Sequence, residues 1–296
     1  MPLNLPEGKR LAISVGADFD AHSVWHGTFR SVSQTDLSRG EFGAMVGVPR
    51  LLNTLAQRGI TTTWCIPTHT IQTFRPQVDA IVEHGHEIAA HGVYHEYVPK
   101  LELDEERRLL ELQLRQHEEL LGRRPQGYRS PALDVTPVTL DLLAELDFEW
   151  DSSLMGRDVT PYRPRMVEKI DFEQGNTFGP PSRVLELPVS WTLDDFPELE
   201  TFKGNALMQS ADALLRRWTD TFNFAYERCP GGMLAFIVHP QTIGRPANLL
   251  MLERFLDHVA THDGVWFATL TQIFECWSDS EPGPVKSSQE DHPFPM

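Results

Sequence analysis

The chain has 296 residues, of which 41% are hydrophobic and 23% charged, a profile that excludes collagen-like, disordered and low-complexity classes. Lys and Arg number 26 against 42 Asp and Glu, a formal charge of −16, which repels nucleic-acid backbones and anionic lipid surfaces. Cys65, Cys229 and Cys276 are odd in number, far apart and without CxxC spacing, so neither a disulfide framework nor a thiolate metal site is expected. The opening MPLNLPEGKRLAISVGADFD puts prolines and an acid where a secretory leader needs a basic start and an apolar run. No later segment approaches the roughly 18 apolar residues of a membrane span. The expectation is a cytoplasmic protein without nucleic-acid or membrane partners.

Taken in chain order, Leu11 to Val15 reads as a buried strand running into the acidic turn GADFD. Val48, Leu51, Leu52 and Leu55 make a helical stripe closed by Gly59, followed by a β-rich run, Thr61 to Ile66. A helix over Pro76 to Glu83 precedes a strand at Glu87 to Ala90. The longest helix opens at Asp104 or Glu105, carries Leu109, Leu110, Leu112, Leu114, Leu120 and Leu121, and stops at Gly122. A short strand at Gly127 to Arg129 and a helix at Pro137 to Leu146 follow, with extended segments at Phe148 to Asp151 and Val184 to Pro188. Helices at Ala206 to Tyr226 and Ala247 to His262 flank the apolar strand Leu234 to Val238, and Val265 to Ala268 reads as the last strand. Alternation of this kind implies a parallel α/β sheet, doubly wound or closed into a barrel. Met155 to Arg183 and Trp191 to Asn205, rich in Pro, Gly and charge, read as long loops within one domain over 1–277, and 278–296 as an irregular tail.

Four clusters carry chemistry. Asp18 and Asp20 follow the first strand, at the carboxyl edge where parallel folds build sites; alone, such a pair is more often a solvated turn. In GHEIAAHGVYHE, His91 and His95 stand four apart after a strand, a spacing that lets two imidazoles share one ion, with Gly92 starting the turn at the strand end. His22 and His26 have the same spacing without a strand end to present them and read as incidental. In YRSPALD, Arg129 ends a short strand and Pro131 stiffens the turn after it; a buried Arg there can hold a carboxylate. His239, in LAFIVHPQTIGRP, ends the most apolar strand, where a titratable group is a better catalytic candidate than a surface His.

The ordered set of Asp pair, His pair, Arg-x-Pro and His at successive strand ends resembles the polysaccharide deacetylase superfamily, carbohydrate esterase family four. The resemblance runs from about Leu11 to Ala268 and includes the helix in LELDEERRLLELQLRQHEELLGRRPQGYRSP. It implies a distorted (β/α) barrel of about seven strands. By motif, Asp18 matches the general base, Asp20, His91 and His95 the metal ligands, Arg129 the residue orienting the base and His239 the general acid. The resemblance implies one divalent ion, zinc first, with cobalt, nickel or manganese as alternatives. Pro131 and Ala132 mark the backbone N–H that would stabilise an oxyanion, and Asp151 in WDSSLMGRD is a candidate to orient His239. Trp191, Asp194 and Asp195 are expected in a loop over the pocket, with Trp191 and Asp195 as substrate contacts. Ala132 stands where sugar-processing members commonly have an aromatic. DSSLMGRDVTPY, LELPVSWTLDDFP and HPQTIGRP look more like the peptidoglycan deacetylase-like subgroup, which includes cyclic imide hydrolases and allantoinase relatives. The allantoinase branch is usually described as lacking the acidic metal pair that is intact here, so the resemblance favours metal dependence. The expectation is hydrolysis of a non-peptide carbon–nitrogen bond, in an N-acyl amino sugar, free or in an oligosaccharide, or in a small cyclic imide or amide. A homo-oligomer is expected from the resemblance. The alternative is a catalytically silent member that binds metal or ligand.

Overall fold

The computed structural model describes residues 2–200 and 210–278. Its ten strands are β1 (Leu11–Asp18), β2 (Thr63–Ile66), β3 (Glu87–Ala90), β4 (Gly127–Tyr128), β5 (Trp150–Asp151), β6 (Arg165–Lys169), β7 (Thr177–Pro181), β8 (Leu185–Glu186), β9 (Gly232–Val238) and β10 (Val265–Phe267). Eight of them form one sheet in which every pairing is parallel. β9 lies along β1 from Leu11 to Ala17, and β2, β3, β4, β5 and β8 follow on the other side. β10 pairs only with the first residues of β1, Leu11 to Ile13. The sheet curls until Asp194, beyond β8, bridges to Ile237 of β9. This is the distorted barrel expected: a round of seven strands, with β10 an eighth at its amino-terminal edge.

Alternation along the strands decides which residues reach the site. In β1, Ile13, Val15 and Ala17 pack in the largest apolar cluster, with Leu51 and Leu55 of the Val48–Ala56 helix, Trp218 and Phe222 of the Ala211–Arg228 helix, and Phe255 of the Pro246–Ala260 helix. Ala12 belongs to a second cluster, with Cys65, Ala89, Met233, Ala235, Ile237 and Trp150. That second set is the barrel interior, kept narrow by small residues. Asp18 continues the face of Ala12, His91 that of Ala89, and His239 that of Met233, Ala235 and Ile237, so period-two alternation aims all three inward at the carboxyl edge.

The longest helix runs Leu103–Leu121, with Asp104, Glu105 and Glu106 in its first turn and Gly122 as its left-handed stop at φ 69°. Acids at that end complement the helix dipole, and a side chain at Gly122 would be strained. Several elements differ from the sequence reading. β1 extends three residues further, so Asp18 is its last residue rather than part of a turn. The segment 155–183 is not all loop, because β6 and β7 pair as an antiparallel hairpin. Helices at Gln34–Phe42, Thr68–Thr73 and Leu270–Ser278 were not anticipated; all three are nine residues or fewer, too short for a sustained apolar stripe. Within 191–205, Trp191–Leu193 forms a 3₁₀ turn and Phe196–Leu199 a helical turn. The expected onset of the Ala206 helix and the tail after Ser278 lie outside the described residues. No described helix is long and apolar enough to cross a membrane.

Candidate metal centre and active site

Asp20, His91 and His95 converge just past β1 and β3. His91 Nε2 lies 3.4 Å and His95 Nε2 3.8 Å from Asp20 Oδ1, and the donor atoms of the trio fall within 4.8 Å of one another. All three residues are buried. The pair is not held by a helical turn. Gly92 at φ 74° and His95 at φ 59° fold the chain back instead, and Glu96 secures that turn by accepting from the Val93 and Tyr94 amides. Gly27 packs so closely that a Cβ there would sit 2.1 Å from the His95 carbonyl oxygen.

Each imidazole is oriented by its other nitrogen. His91 Nδ1 donates to the Arg129 carbonyl at 2.7 Å, and His95 Nδ1 is 2.7 Å from the Thr28 hydroxyl. The two Nε2 atoms are thereby left toward Asp20. Both Asp20 carboxylate oxygens and His91 Nε2 are buried without a hydrogen-bond partner. A carboxylate and two oriented imidazoles with orphaned atoms suit a small divalent cation. Burial alone would raise Asp20, but His95, His91 and His239 outweigh it and hold this carboxyl below the usual range. Burial pushes His95 down to about 4, the neutral form a ligand needs.

Asp18 and His239 flank the trio. Arg129, fully buried, donates to Asp18 Oδ1 at 2.6 Å through Nη1, and to the Ser152 carbonyl and hydroxyl through Nε and Nη2, both at 3.0 Å. His239 Nε2 is 3.7 Å from Asp20 Oδ2. Its Nδ1 lies 2.8 Å from Asp195 Oδ1 and 3.5 Å from Asp194 Oδ1, and its backbone amide also donates to Asp195. Burial opposes the charged imidazole, yet Asp194, Asp195 and Asp20 outweigh it and raise His239 well above its ordinary value. Burial likewise lifts Asp194 to about 7 and Asp195 to about 6, against the pull of His239.

The residue that orients His239 is therefore Asp195, not Asp151. Trp150 takes the interior face of β5, so Asp151 projects to the opposite face with its register partner Tyr128. Asp195, expected as a substrate contact, is buried beneath the imidazole instead. Asp194, expected only as part of the loop over the pocket, lines the cavity beside His239; Thr28 was missing from the expected site, as were Glu96 and Gln113, whose amide oxygen takes the Gly92 N–H at 2.9 Å. An acid directly after His95 was the available signal for Glu96.

A cavity of about 180 Å³ opens over these groups. Val24, Phe29, Leu133, Phe196 and Trp191 supply apolar walls, Ala132 joins them, and Asp18, Asp20, His91, His95, Asp194 and His239 supply the polar part. Phe196 meets the His239 ring edge-on at 5.1 Å and stacks on Phe29. Trp191 stands half-exposed at the mouth. Pro131 opens a 3₁₀ turn in which Ala132 and Leu133 both have positive φ, 58° and 53°, conformations that cost non-glycine residues energy and concentrate at functional sites.

A parallel barrel whose carboxyl edge gathers an Asp–His–His trio between a paired aspartate and a paired histidine defines a polysaccharide deacetylase-type hydrolase. The comparisons agree with that class. The polysaccharide deacetylase family model matches residues 42–150. The peptidoglycan deacetylase of Helicobacter pylori is 32% identical over 288 residues, 93% of this chain and 98% of that one. A Mycobacterium smegmatis crystal structure assigned to the polysaccharide deacetylases superposes with TM-score 0.83 at 31% identity, covering 98% of both chains. The fold is also that of the Puue allantoinase crystal structure, with TM-score 0.76 at 24% identity over 96% of each chain. The chain belongs to the polysaccharide deacetylase family, whose members are amide-acting hydrolases and generally metal-dependent.

Proposed function

We propose that this chain is a metal-dependent hydrolase that opens the carbon–nitrogen bond of a small neutral amide, of the cyclic imide or cyclic amide type. The observation that carries the reading is that the Asp20–His91–His95 trio, Asp18 and His239 all line one small cavity whose remaining lining, Thr28 and Asp194 apart, is apolar. A flat, uncharged ring matches such a space better than a hydroxyl-rich sugar, whose polar groups would lose water without gaining partners. Asp20, His91 and His95 would hold the ion, zinc being the first choice for this donor set. When bound, that ion supplies Lewis acidity toward the amide carbonyl and acidifies a water.

The chain's own groups then divide the proton transfers. Asp18, fixed by Arg129, accepts a proton from water as its oxygen bonds to the carbonyl carbon. The Ala132 N–H, on the strained turn after Pro131, is the candidate donor to the carbonyl oxygen as negative charge develops there. His239, held by Asp195, gives a proton to the nitrogen as the carbon–nitrogen bond breaks. The proton held by Asp18 returns through solvent to His239, so each turnover consumes one water. The apolar walls, with Phe196 against the imidazole, keep other water from these transfers.

The second reading, removal of an acetyl group from an amino sugar, is favoured by the name of the Helicobacter pylori relative. A silent binding protein would have no need of both a placed base and a placed acid. Turnover by the zinc-loaded protein on succinimide and dihydropyrimidines beside N-acetylglucosamine oligomers separates the readings. Ring opening, absent in Asp20→Ala, is expected. Acetate release without ring opening replaces the first reading by the second, and silence on every substrate contradicts both.

A further inference from the structure

Asp151 and Glu186 are fully buried outside the catalytic cavity. They end β5 and β8 as Cα partners in register, so their side chains leave neighbouring strands on the same face, turned from the barrel interior. Asp151 Oδ1 accepts from the Ser153 hydroxyl at 2.7 Å, and Glu186 Oε1 accepts from the Ser153 and Leu154 amides at 3.0 and 2.9 Å. Their remaining oxygens, Oδ2 and Oε2, are buried and meet no donor from any described group. A carboxylate has no hydrogen to give, so two such buried neighbours can satisfy one another only when one member is the acid. The charged or titratable groups facing the pair are Arg129, Tyr128 and Tyr162. Arg129 is engaged by Asp18 and Ser152, the Tyr162 hydroxyl takes the Gly156 amide, and the Tyr128 hydroxyl donates to neither free carboxyl oxygen. None of them replaces the missing hydrogen.

The pair is wired to the catalytic loop. The Ser153 hydroxyl that donates to Asp151 accepts from the Ser130 amide at 2.8 Å, and Ser152, between Asp151 and Ser153, takes two hydrogen bonds from Arg129. We propose that Asp151 and Glu186 share a single proton, and that this pair is a positioning device which fixes Ser152 and Ser153 so that Arg129, and through it Asp18, is held in register for proton abstraction. Burial favours that protonation, raising both carboxyls, Glu186 well above the ordinary carboxylate range.

Infrared spectra of the zinc-loaded protein at alkaline pH, where Asp194 and Asp195 are ionised, test the proton directly. The expected result is a carbonyl band of a protonated carboxylic acid in the wild type that disappears in Glu186→Gln; a wild type without the band overturns the proposal. The kinetic arm rests on the proposed function. Glu186→Gln, whose amide can donate to Asp151 in place of the shared proton, is expected to keep turnover within about threefold. Glu186→Leu, which strands Asp151, is expected to lose at least about tenfold in kcat with KM little changed. Equal turnover by both variants overturns the positioning role. A band that behaves as expected in a protein that turns over neither imides nor acetylated sugars separates the cases: the functional reading fails and the shared proton stands.

Discussion

At the scale of single residues, the site is governed by what lies behind each functional group. His239 presents Nε2 toward the Asp20–His91–His95 trio because Asp195 takes both its Nδ1 and its backbone amide. An Asp195→Asn substitution keeps the shape but offers an amide where the imidazole N–H needs an acceptor, which disfavours the tautomer and the orientation that a proton donor requires. The expected outcome is a fall in kcat of at least about tenfold with KM little changed, read from initial rates on the substrate that the wild type turns over. Unchanged kcat would leave Asp194, at 3.5 Å, as the sufficient partner. Asp18, Asp20, His91, Arg129 and His239 were legible in the sequence because each stands at or just beyond a strand end, and the strands could be read from short apolar runs. The partner of His239 was not legible. Asp195 is 44 residues away, in a segment read as loop, whereas Asp151 stood at a strand end and attracted the role.

At the scale of elements, alternation within strands did most to build the site, and helices served chiefly to cover the sheet. The Leu103–Leu121 helix shows how far amphipathic pattern carries, and where it stops. Its apolar stripe was plain, but the stripe also buries His117, whose Nε2 has no partner among the described residues. Burial, aided by Arg123, holds this imidazole down to about 4. Between that value and the ordinary 6.5 the unfolded chain binds a proton that the folded chain refuses. The stabilising effect of a neutral His117 is thus present above pH 6.5 and lost as pH falls toward 4. His117→Leu is expected to remove one proton's share of that slope, about 1.4 kcal/mol per pH unit. Urea unfolding at stepped pH measures it, and identical acid slopes in the two proteins would contradict this assignment. The β6–β7 hairpin was hidden by composition, since Pro, Gly and charge in 155–183 mask a two-stranded pairing that buries little.

For the molecule as a whole, strand and helix alternation implied a parallel sheet, but only the motif order chose a barrel over a doubly wound fold. Closure itself depends on one isolated bridge, Asp194 to Ile237, which no periodicity announces. That same bridge brings the Asp194–Asp195 pair beneath His239, so the contact that closes the barrel also completes the cavity beside the Asp20–His91–His95 trio. The reaction proposed here requires Asp18 to act on water while Asp20, His91 and His95 hold the ion. Asp18→Asn, assayed for metal content and for succinimide ring opening after zinc loading, tests this division of labour most directly. The expected result is one ion still bound per chain and turnover reduced at least about a hundredfold; a variant that keeps both its metal and its turnover would contradict the role assigned to Asp18.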